Sequence, residues 1–163
     1  MVKAVLQFKR AFWEDSKPLR DSAFWHAQEA QFPTWWTQMP LRRPTLTAWA
    51  GGPKARALAG LPQPKLRSIA VDSLAELLRV HKGRVLKLLT AFHAYDWAAD
   101  PWSRGAYSYV AVGGMGARRR LAEPVDHTLF FAGEATDTSG QASTVAGALL
   151  SGQRAARQVL ASL

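Results

Sequence analysis

The segment from Leu129 to Gly152, LFFAGEATDTSGQASTVAGALLSG, constrains the fold more than any other part of this sequence. Its apolar run Leu129–Ala132 predicts a buried strand, and the pattern from about Ser143 to Leu160 predicts a helix. A strand that delivers Gly133 and Glu134 into a polar loop, followed by the start of a helix, is the geometry of a cofactor crevice. The alternative interpretation is a buried strand packed on a helix with no ligand between them.

The turn and the start of the helix have separate expected roles. Gly133 permits a backbone conformation or a close approach that a side chain would block. Glu134 can accept hydrogen bonds from sugar-type hydroxyls, and the free N–H groups at the helix start favour an anion or an electron-rich ring. Ser143 or Thr144 can cap that helix. The helix face expected to pack inward consists of Val145, Leu149, Gly152, Ala156 and Leu160.

Composition bounds the class of protein. The chain has 163 residues, of which 48% are hydrophobic, so we expect about one domain with a packed core. The absence of cysteine excludes disulfides, cysteine-based zinc sites and a thioether link to a cofactor. No apolar run is long enough to span a bilayer, and the N-terminus lacks a secretory signal, so we expect a cytoplasmic protein without a membrane partner.

The formal charge of +9 would attract polyanions and disfavour cationic substrates, unless a local acidic or aromatic site compensates. Because the basic residues are scattered, with only Arg118–Arg120 in a tight run, a solvated basic surface is the better interpretation and a nucleic-acid partner is not favoured. The four histidines show no metal-ligand spacing, so no metal site is predicted.

Alternating apolar and polar residues predict half-buried strands along the chain. These are Lys3–Phe12, Pro44–Ala50 and Ala106–Val112, with a possible short strand at Thr34–Met39. Helical spacing from Ile69 to His81 predicts an amphipathic helix that stops at Gly83. Val85–Phe92 fits either type of element, and we favour a strand that enters 93–97. Strands and helices interleave, so the fold class is α/β (α+β), with a mixed sheet.

Three blocks of this sequence resemble one family. FFAGEAT followed by STVAGALLSGQRAA is similar to the C-terminal FAD-binding signature of the flavin-dependent amine oxidases, which include monoamine oxidases, polyamine oxidases and lysine-specific histone demethylases. WAADPWSRGAYSYVAVG, from Trp97 to Gly113, resembles the family segment that passes over the flavin. VKAVLQFKRAFW resembles the strand that carries the family's lysine. The resemblance covers essentially the whole chain, with a loose match over 14–65.

The resemblance implies a role for two residues near the reacting atoms. Lys3 lies where the family's lysine holds a water against flavin N5, and is the candidate catalytic residue. Tyr107 lies at the family's aromatic-wall position, where a ring steers the amine by its shape and by cation–π attraction. The alternatives are a solvent-facing lysine on a strand and an ordinary core tyrosine.

The resemblance also implies a cofactor site. Ala106 stands where monoamine oxidases bear a cysteine bonded to the flavin, so FAD would be held non-covalently. A second aromatic residue of the monoamine oxidase cage would fall near Thr144 and is absent, so a two-ring cage is not supported. The candidate cofactor-binding residues are Trp97, Trp102, Gly133, Glu134, Thr144 and Val145.

The family's nucleotide-binding motif is not found in this sequence. Gly113, Gly114 and Gly116 are too close together for G-x-G-x-x-G, come too late, and are not followed by a helix pattern. We therefore expect the C-terminal portion of such an enzyme, with residues 1–112 as the second half of the substrate-binding domain. Residues 113–163 would be the C-terminal strand, loop and helix of a Rossmann-like FAD-binding domain.

The expected function is oxidation of a small amine to an imine, with hydride transfer to flavin and oxygen as the electron acceptor. The chain alone would hold FAD weakly or not at all, because most contacts to the adenine, ribose and pyrophosphate belong to the other half. The expected partners are the amine and either a chain that supplies that half or further copies of this chain. The alternative function is a non-catalytic, basic interaction module.

Overall fold

The computed structural model describes all residues from 1 to 163, and they form two compact units. We call Met1–Ala106 the sheet unit and Tyr107–Leu163 the C-terminal unit. The division falls six residues before the domain boundary expected from the sequence. No helix in either unit has the length and apolar character needed to cross a membrane.

A five-stranded sheet forms the centre of the sheet unit. Its strands are β1 (Val2–Phe8), β2 (Phe24–His26), β3 (Thr34–Trp36), β4 (Thr45–Ala50) and β5 (Leu89–Asp96). They lie in the order β2-β3-β4-β1-β5, and every pairing is antiparallel, so the sheet has none of the parallel pairs of a mixed sheet. The predicted class, mixed α and β, is confirmed.

In β1, the alternating sequence pattern predicted the strand correctly because its apolar residues all lie on one face. Ala4 and Leu6 point into the core with no exposed surface, while Lys3 and Gln7 occupy the other face. The strand ends at Phe8, four residues before the predicted end. After three further residues, Phe12–Asp15 form a 3-10 turn, in which the ring of Phe12 packs edge-to-face on Phe8 at 5.3 Å.

The sheet unit also contains four helices, namely α1 (Lys17–Arg20), α2 (Gly52–Leu58), α3 (Gln63–Leu78) and α4 (Lys82–Leu88). The predicted amphipathic helix is α3, and it covers the core with fully buried Ala70 and Leu74. It ends before Arg79, which adopts the left-handed conformation at φ 52°. The predicted stop at Gly83 was wrong, because that residue lies inside α4.

The ambiguous segment 85–92 divides between two elements. Residues Val85 to Leu88 complete α4, and β5 begins at Leu89, so the favoured strand is correct only for its second half. Val85 is fully buried, which explains why an apolar run here does not require a strand. A short strand was also missed at Phe24–His26, where the ring of Phe24 stacks on Trp36 of β3 at 6.2 Å.

The C-terminal unit contains two helices, α5 (Ala117–Ala122) and α6 (Val145–Leu160), and no strand. The strands predicted at Ala106–Val112 and Leu129–Ala132 were wrong, since only one isolated bridge forms, between Val125 and Leu129. An extended apolar run becomes a strand only when another segment pairs with it, and this chain offers no partner. The glycine-rich loop at 113–116 was also misinterpreted, because α5 follows it directly.

Helix α6 begins close to the expected position, but a different face of it is buried from the one predicted. Thr144 is its N-cap, and the side-chain oxygen accepts a hydrogen bond from the N–H of Gly147 at 3.0 Å. The predicted packing face is instead exposed, at 78% for Val145 and 66% for Leu149. The buried positions of α6 are Gly147, Ser151 and Ala155, because these small residues face the polar loop of the same unit.

The contact between α6 and the loop yields a prediction. A Cβ at position 147 would overlap the carbonyl group of Gln141, 2.7 Å from its carbon, whereas a Cβ at Gly152 meets nothing within 4 Å. We expect Gly147→Ala to destabilise the C-terminal unit by about 1–3 kcal/mol through overpacking. Gly152→Ala should stabilise α6 by up to about 1 kcal/mol through helix propensity. Hydrogen exchange of the α6 amides measures both, and equal behaviour of the two variants would contradict the model of a loop seated on Gly147.

Candidate functional site

The turn that precedes α6 is shaped by Gly133. Its φ of +128° lies in a region that side chains disfavour, and no atom lies within 4 Å of where a Cβ would stand. Its N–H donates to the hydroxyl of buried Ser151 on α6 at 2.9 Å. The conformation of Gly133 therefore fixes where Glu134 points, and the proposed reason for a glycine here is supported by the backbone.

The carboxylate of Glu134 joins two segments that are distant in sequence. One oxygen, Oε1, accepts the backbone N–H of Ser108 at 2.7 Å. The other, Oε2, accepts the Ser108 hydroxyl at 2.7 Å and the backbone N–H of Ser143 at 2.8 Å. The residue after Tyr107 and the residue before the N-cap of α6 are thus held by one side chain.

Arg118 on α5 completes this cluster. Its Nη1 donates to the Ser108 hydroxyl at 2.9 Å and to the backbone carbonyl of Glu134 at 3.2 Å. Its Nη2 reaches the Ser143 hydroxyl at 3.4 Å, and the ion pair with the Glu134 carboxylate spans 3.7 Å. Sequence reasoning missed both Ser108 and Arg118. The only available signal was the Arg118–Arg120 run, which was interpreted from composition as part of a solvated basic surface.

These contacts set the protonation of Glu134. Partial burial acts to raise the pKa of its carboxyl group, but hydrogen bonds from Ser108 and Ser143 and the charge of Arg118 outweigh burial. The net result is a pKa below the ordinary value. The carboxylate is therefore ionised at neutral pH and acts as an acceptor. Three hydrogen bonds occupy three of its roughly four lone-pair positions, which leaves about one for a ligand hydroxyl.

The start of α6 presents unused donors beside this cluster. The Thr144 hydroxyl donates to the carbonyl of Gln141 at 2.5 Å while it accepts from Gly147. The backbone N–H groups of Val145 and Ala146 have no acceptor within the chain. Free N–H groups, the positive end of a 16-residue helix and the exposed apolar side chain of Val145 fit the electron-rich edge of a flat ring such as a flavin.

In the sheet unit, Lys3 lies among aromatic side chains. Its register neighbours on the two adjacent strands are Trp49 and Tyr95, and its Nζ lies 5.6 Å from the ring centroid of Trp36. No carboxylate pairs with it. The side chain is half-buried, so it is neither a fully solvated strand lysine nor a core residue. A cation–π contact therefore holds the ammonium group without using its hydrogen-bond donors.

The remaining predicted residues differ in surroundings. Trp97 packs edge-to-face on Tyr95 at 4.8 Å and lines the same groove of the sheet unit as Lys3. Trp102 is 93% exposed and lines no part of that groove. Tyr107 is 52% exposed and directly precedes Ser108. The structure thus groups Lys3 with Trp97 in one unit, and in the other it groups Gly133, Glu134, Thr144 and Val145.

The pKa shift of Glu134 yields a prediction with a defined sign. Because the pKa in the folded state lies below the ordinary glutamate value of 4.5, this group contributes stability above that pH. The contribution is lost as the pH falls through the lower, folded-state pKa. We expect the Ser108 and Ser143 amides to lose protection from hydrogen exchange over that range.

The matching variant is Glu134→Gln, which should weaken the C-terminal unit by about 1–3 kcal/mol at neutral pH, because the partly buried donors of Ser108 and Ser143 lose their charged acceptor. The control is Glu123→Gln, whose exposed side chain makes no hydrogen bond in this structure. Amide exchange at neutral pH that is the same in both variants would show that the carboxylate does not hold these segments.

Comparison with known proteins shows which family this chain belongs to. A family model described as "Flavin containing amine oxidoreductase" matches residues 1–160. The chain is 34% identical to lysine-specific histone demethylase 1 homolog 3 of Arabidopsis thaliana, over 97% of this chain and 10% of the relative. It is 32% identical to lysine-specific histone demethylase 2 of Homo sapiens, over 98% of this chain and 20% of the relative.

A further relative is the peroxisomal N(1)-acetyl-spermine/spermidine oxidase of Bos taurus, 32% identical over 94% of this chain and 31% of the relative. Among solved structures, wild-type putrescine oxidase bound to putrescine matches 99% of this chain and 35% of its own, with a TM-score of 0.80 at 23% identity. This chain therefore spans between a tenth and about a third of the lengths of these proteins. The fold prediction and the flavin as the family's cofactor are confirmed, and the chain belongs to the flavin-containing amine oxidoreductase family.

Proposed function

We propose that this chain is a portion of an FAD-dependent amine oxidase that converts an amine to an imine, with oxygen as the final electron acceptor. When bound, the flavin supplies the two-electron acceptor for the hydride that leaves the α-carbon of the amine. The observation that carries the proposal is the start of α6, where free N–H groups lie next to a turn that Glu134 holds in place.

The C-terminal unit would bind the flavin non-covalently. The N–H groups of Val145 and Ala146 would donate to the electron-rich edge of the ring, and Thr144 would fix the direction of α6. Glu134 has about one acceptor position left, which suits one hydroxyl of the ribityl chain. Its larger contribution would be indirect, since it orders the loops around the ring before the ring arrives. Such preorganisation lowers the entropy lost on binding.

Lys3 would hold a water molecule by donating a hydrogen bond from Nζ. The side chain suits this role because no carboxylate competes for its ammonium group, and because the Trp36 ring limits where that group can move. A fixed cation of this kind also stabilises negative charge that develops near it during the reaction. An exposed strand lysine without an aromatic neighbour would offer neither property.

The aromatic residues would define the space for the amine. Tyr107 is exposed enough to present its ring to a ligand, and Trp97 is held in place by Tyr95. We propose Tyr107 as the wall against which the substrate packs and Trp97 as a residue near the flavin. Trp102 is proposed to contact the flavin as well, and its 93% exposure is consistent with a side chain available for such a contact.

One prediction of this proposal concerns flavin binding. Val145→Glu places a carboxylate at the first turn of α6, where it favours the helix but would compete for the free N–H groups. We expect FAD titrated into this variant to show at least tenfold weaker binding than wild type, read from flavin absorbance. The control Gln153→Glu makes the same charge change at an exposed position of α6 and should bind FAD as wild type does.

Two outcomes would contradict this placement. Equal FAD affinity in Val145→Glu and Gln153→Glu would remove the flavin from the start of α6. A wild-type protein that retains no flavin absorbance after unbound FAD is removed would show that this chain has no oxidase activity by itself. Its family membership would stand.

Another prediction of this proposal concerns the role of Lys3 in the reaction. In any flavin-loaded form of the protein, Lys3→Met should slow flavin reduction or reoxidation at least tenfold and change the FAD dissociation constant by less than about threefold. The reason is that the proposed ammonium group acts on the reacting atoms and not on cofactor binding. Stopped-flow absorbance measures the rates. Unchanged rates, or a loss of binding as large as the loss of rate, would contradict the assigned role.

A further inference from the structure

The residues that follow β5 form a closed loop, 97–105, which we call the tryptophan loop. The N–H of Gly105 donates to the carbonyl of Trp97 at 3.1 Å, and the N–H of Arg104 donates to the carbonyl of Asp100 at 2.9 Å. Trp97 begins the loop and Trp102 lies inside it. Both tryptophans are proposed to lie near the flavin, so the groups that order this loop bear on the site.

The carboxylate of Asp100 is the acceptor at the centre of the tryptophan loop. Its Oδ1 accepts the backbone N–H groups of Trp102 at 3.0 Å and of Ser103 at 2.7 Å. Its Oδ2 accepts the hydroxyl of Tyr95 at 2.6 Å. The hydrogen bonds from Tyr95 and Ser103 hold the pKa of the Asp100 carboxyl group below its ordinary value, and the same contact raises the pKa of Tyr95. At neutral pH an ionised carboxylate therefore accepts from a neutral phenol.

Tyr95 connects the tryptophan loop to the sheet face that carries Lys3. The two residues are directly opposite each other in the pairing of β5 with β1, so their side chains lie on the same side of the sheet. The ring of Tyr95 packs edge-to-face on Trp97 at 4.8 Å, while its hydroxyl is bound by Asp100. One tyrosine thus contacts Trp97 through its ring and the rest of the loop through its hydroxyl.

The position of the Trp102 ring depends on the backbone that carries it. The side chain is almost fully exposed, so packing does little to restrict it, whereas its backbone N–H is held by Asp100. The loop also lines a cavity of about 430 Å³, to which Trp97, Ser103 and Ala106 contribute. A change at residue 100 would therefore alter the walls of this cavity and the place of the Trp102 ring.

Two explanations of the Asp100 charge can be distinguished. Asp100 forms no salt bridge, so its charge could act directly on a ligand. Alternatively, the carboxylate serves as the acceptor that holds the loop, and its three hydrogen bonds, which occupy three of about four lone-pair positions, favour this explanation. An asparagine would preserve the second role, because its carbonyl oxygen can accept the two backbone N–H groups and its NH₂ group can donate to the Tyr95 oxygen. It would abolish the first role.

We infer that Asp100 is a positioning residue, which holds the tryptophan loop in one conformation before any ligand binds and so sets the places of Trp97 and Trp102. The inference rests on the proposed function for the identity of the ligand, a flavin. The order of the loop is a property of the chain alone and requires no cofactor. Such preorganisation lowers the entropy that is lost when a ligand binds.

Amide hydrogen exchange of the whole chain without ligand tests the order of the loop. We expect Asp100→Ala to speed exchange of the Trp102 and Ser103 amides at least fivefold, and Asp100→Asn to change it less than about twofold. The matched control is Asp96→Ala, which removes the same charge and only the acceptor of the Ala98 N–H, so it should leave the Trp102 and Ser103 amides unchanged. Equal exchange of these two amides in Asp100→Ala and in Asp96→Ala would overturn the inference. Faster exchange throughout β1 in Asp100→Ala would also overturn it, because that result would indicate a role in folding of the whole sheet.

Titration with FAD tests the consequence for the site. Asp100→Ala should raise the dissociation constant of FAD at least fivefold without a change in the thermal unfolding temperature, whereas Asp100→Asn and Asp96→Ala should bind FAD as wild type does. A purely structural role would lower the unfolding temperature without this selective loss of affinity. Equal losses in Asp100→Ala and Asp100→Asn would show that the charge acts directly on the ligand and would overturn the positioning role. A wild type that retains no FAD would overturn the proposed function of the chain alone and the flavin part of this inference, while amide exchange would still decide the order of the loop.

Discussion

The carboxylate of Glu134 is the interaction on which the order of the C-terminal unit depends. This unit has no strand, so no ladder of backbone hydrogen bonds connects its segments. Glu134 instead joins Ser108 to Ser143, while Arg118 spans the same two residues from α5. Because each partner sits in a partly buried position, removal of one leaves the others unsatisfied. The segments that would face a flavin are thus fixed by a few polar groups and not by a large apolar core.

A second guanidinium group, that of Arg154, also joins separate segments of this unit. Arg154 of α6 donates to the carbonyl of Ala122 at 2.8 Å, to that of Phe131 at 2.9 Å and to the hydroxyl of Thr136 at 3.0 Å. It thereby supplies a hydrogen-bond partner for Phe131, which belongs to the segment expected to form a strand. This segment keeps its extended path without pairing. A side chain has taken over part of the role that a neighbouring strand would have.

Features that depend on contacts within a short segment could be predicted from the sequence, and features that depend on contacts with a distant segment could not. The alternation of β1 and the extent of α6 are properties of short segments, and both were predicted to within a few residues. The N-cap of α6 was left open between Ser143 and Thr144, and the structure selects Thr144. The strands at 106–112 and 129–132 failed because pairing depends on a distant segment that the pattern does not reveal. The end of α3 at Arg79 failed for another reason, since a left-handed arginine carries no composition signal, unlike glycine.

The candidate site divides in the same way. Gly133, Glu134 and Thr144 stand in one local stretch, where the residue types alone suggested a turn beside a helix start. Ser108 and Arg118 were missed because their roles arise from contacts over 26 and 16 positions with Glu134, which no local pattern encodes. Partly buried polar clusters of this kind are specified by tertiary structure, where each donor must find its acceptor.

Family membership does not determine the charge of the side chains that would face a ligand. The relatives include proteins named for spermine, spermidine and putrescine, which are polycations at neutral pH. Carboxylates and free aromatic faces favour recognition of such molecules, whereas Lys3 brings a positive charge to the sheet unit and its ammonium group already lies over the Trp36 ring. A shared fold at 23% identity fixes the sheet but not the sign of the charge on its lining. The fold alone therefore does not determine which ligand charge this chain can accept, because that depends on individual side chains such as Lys3 and on the partners each of them has.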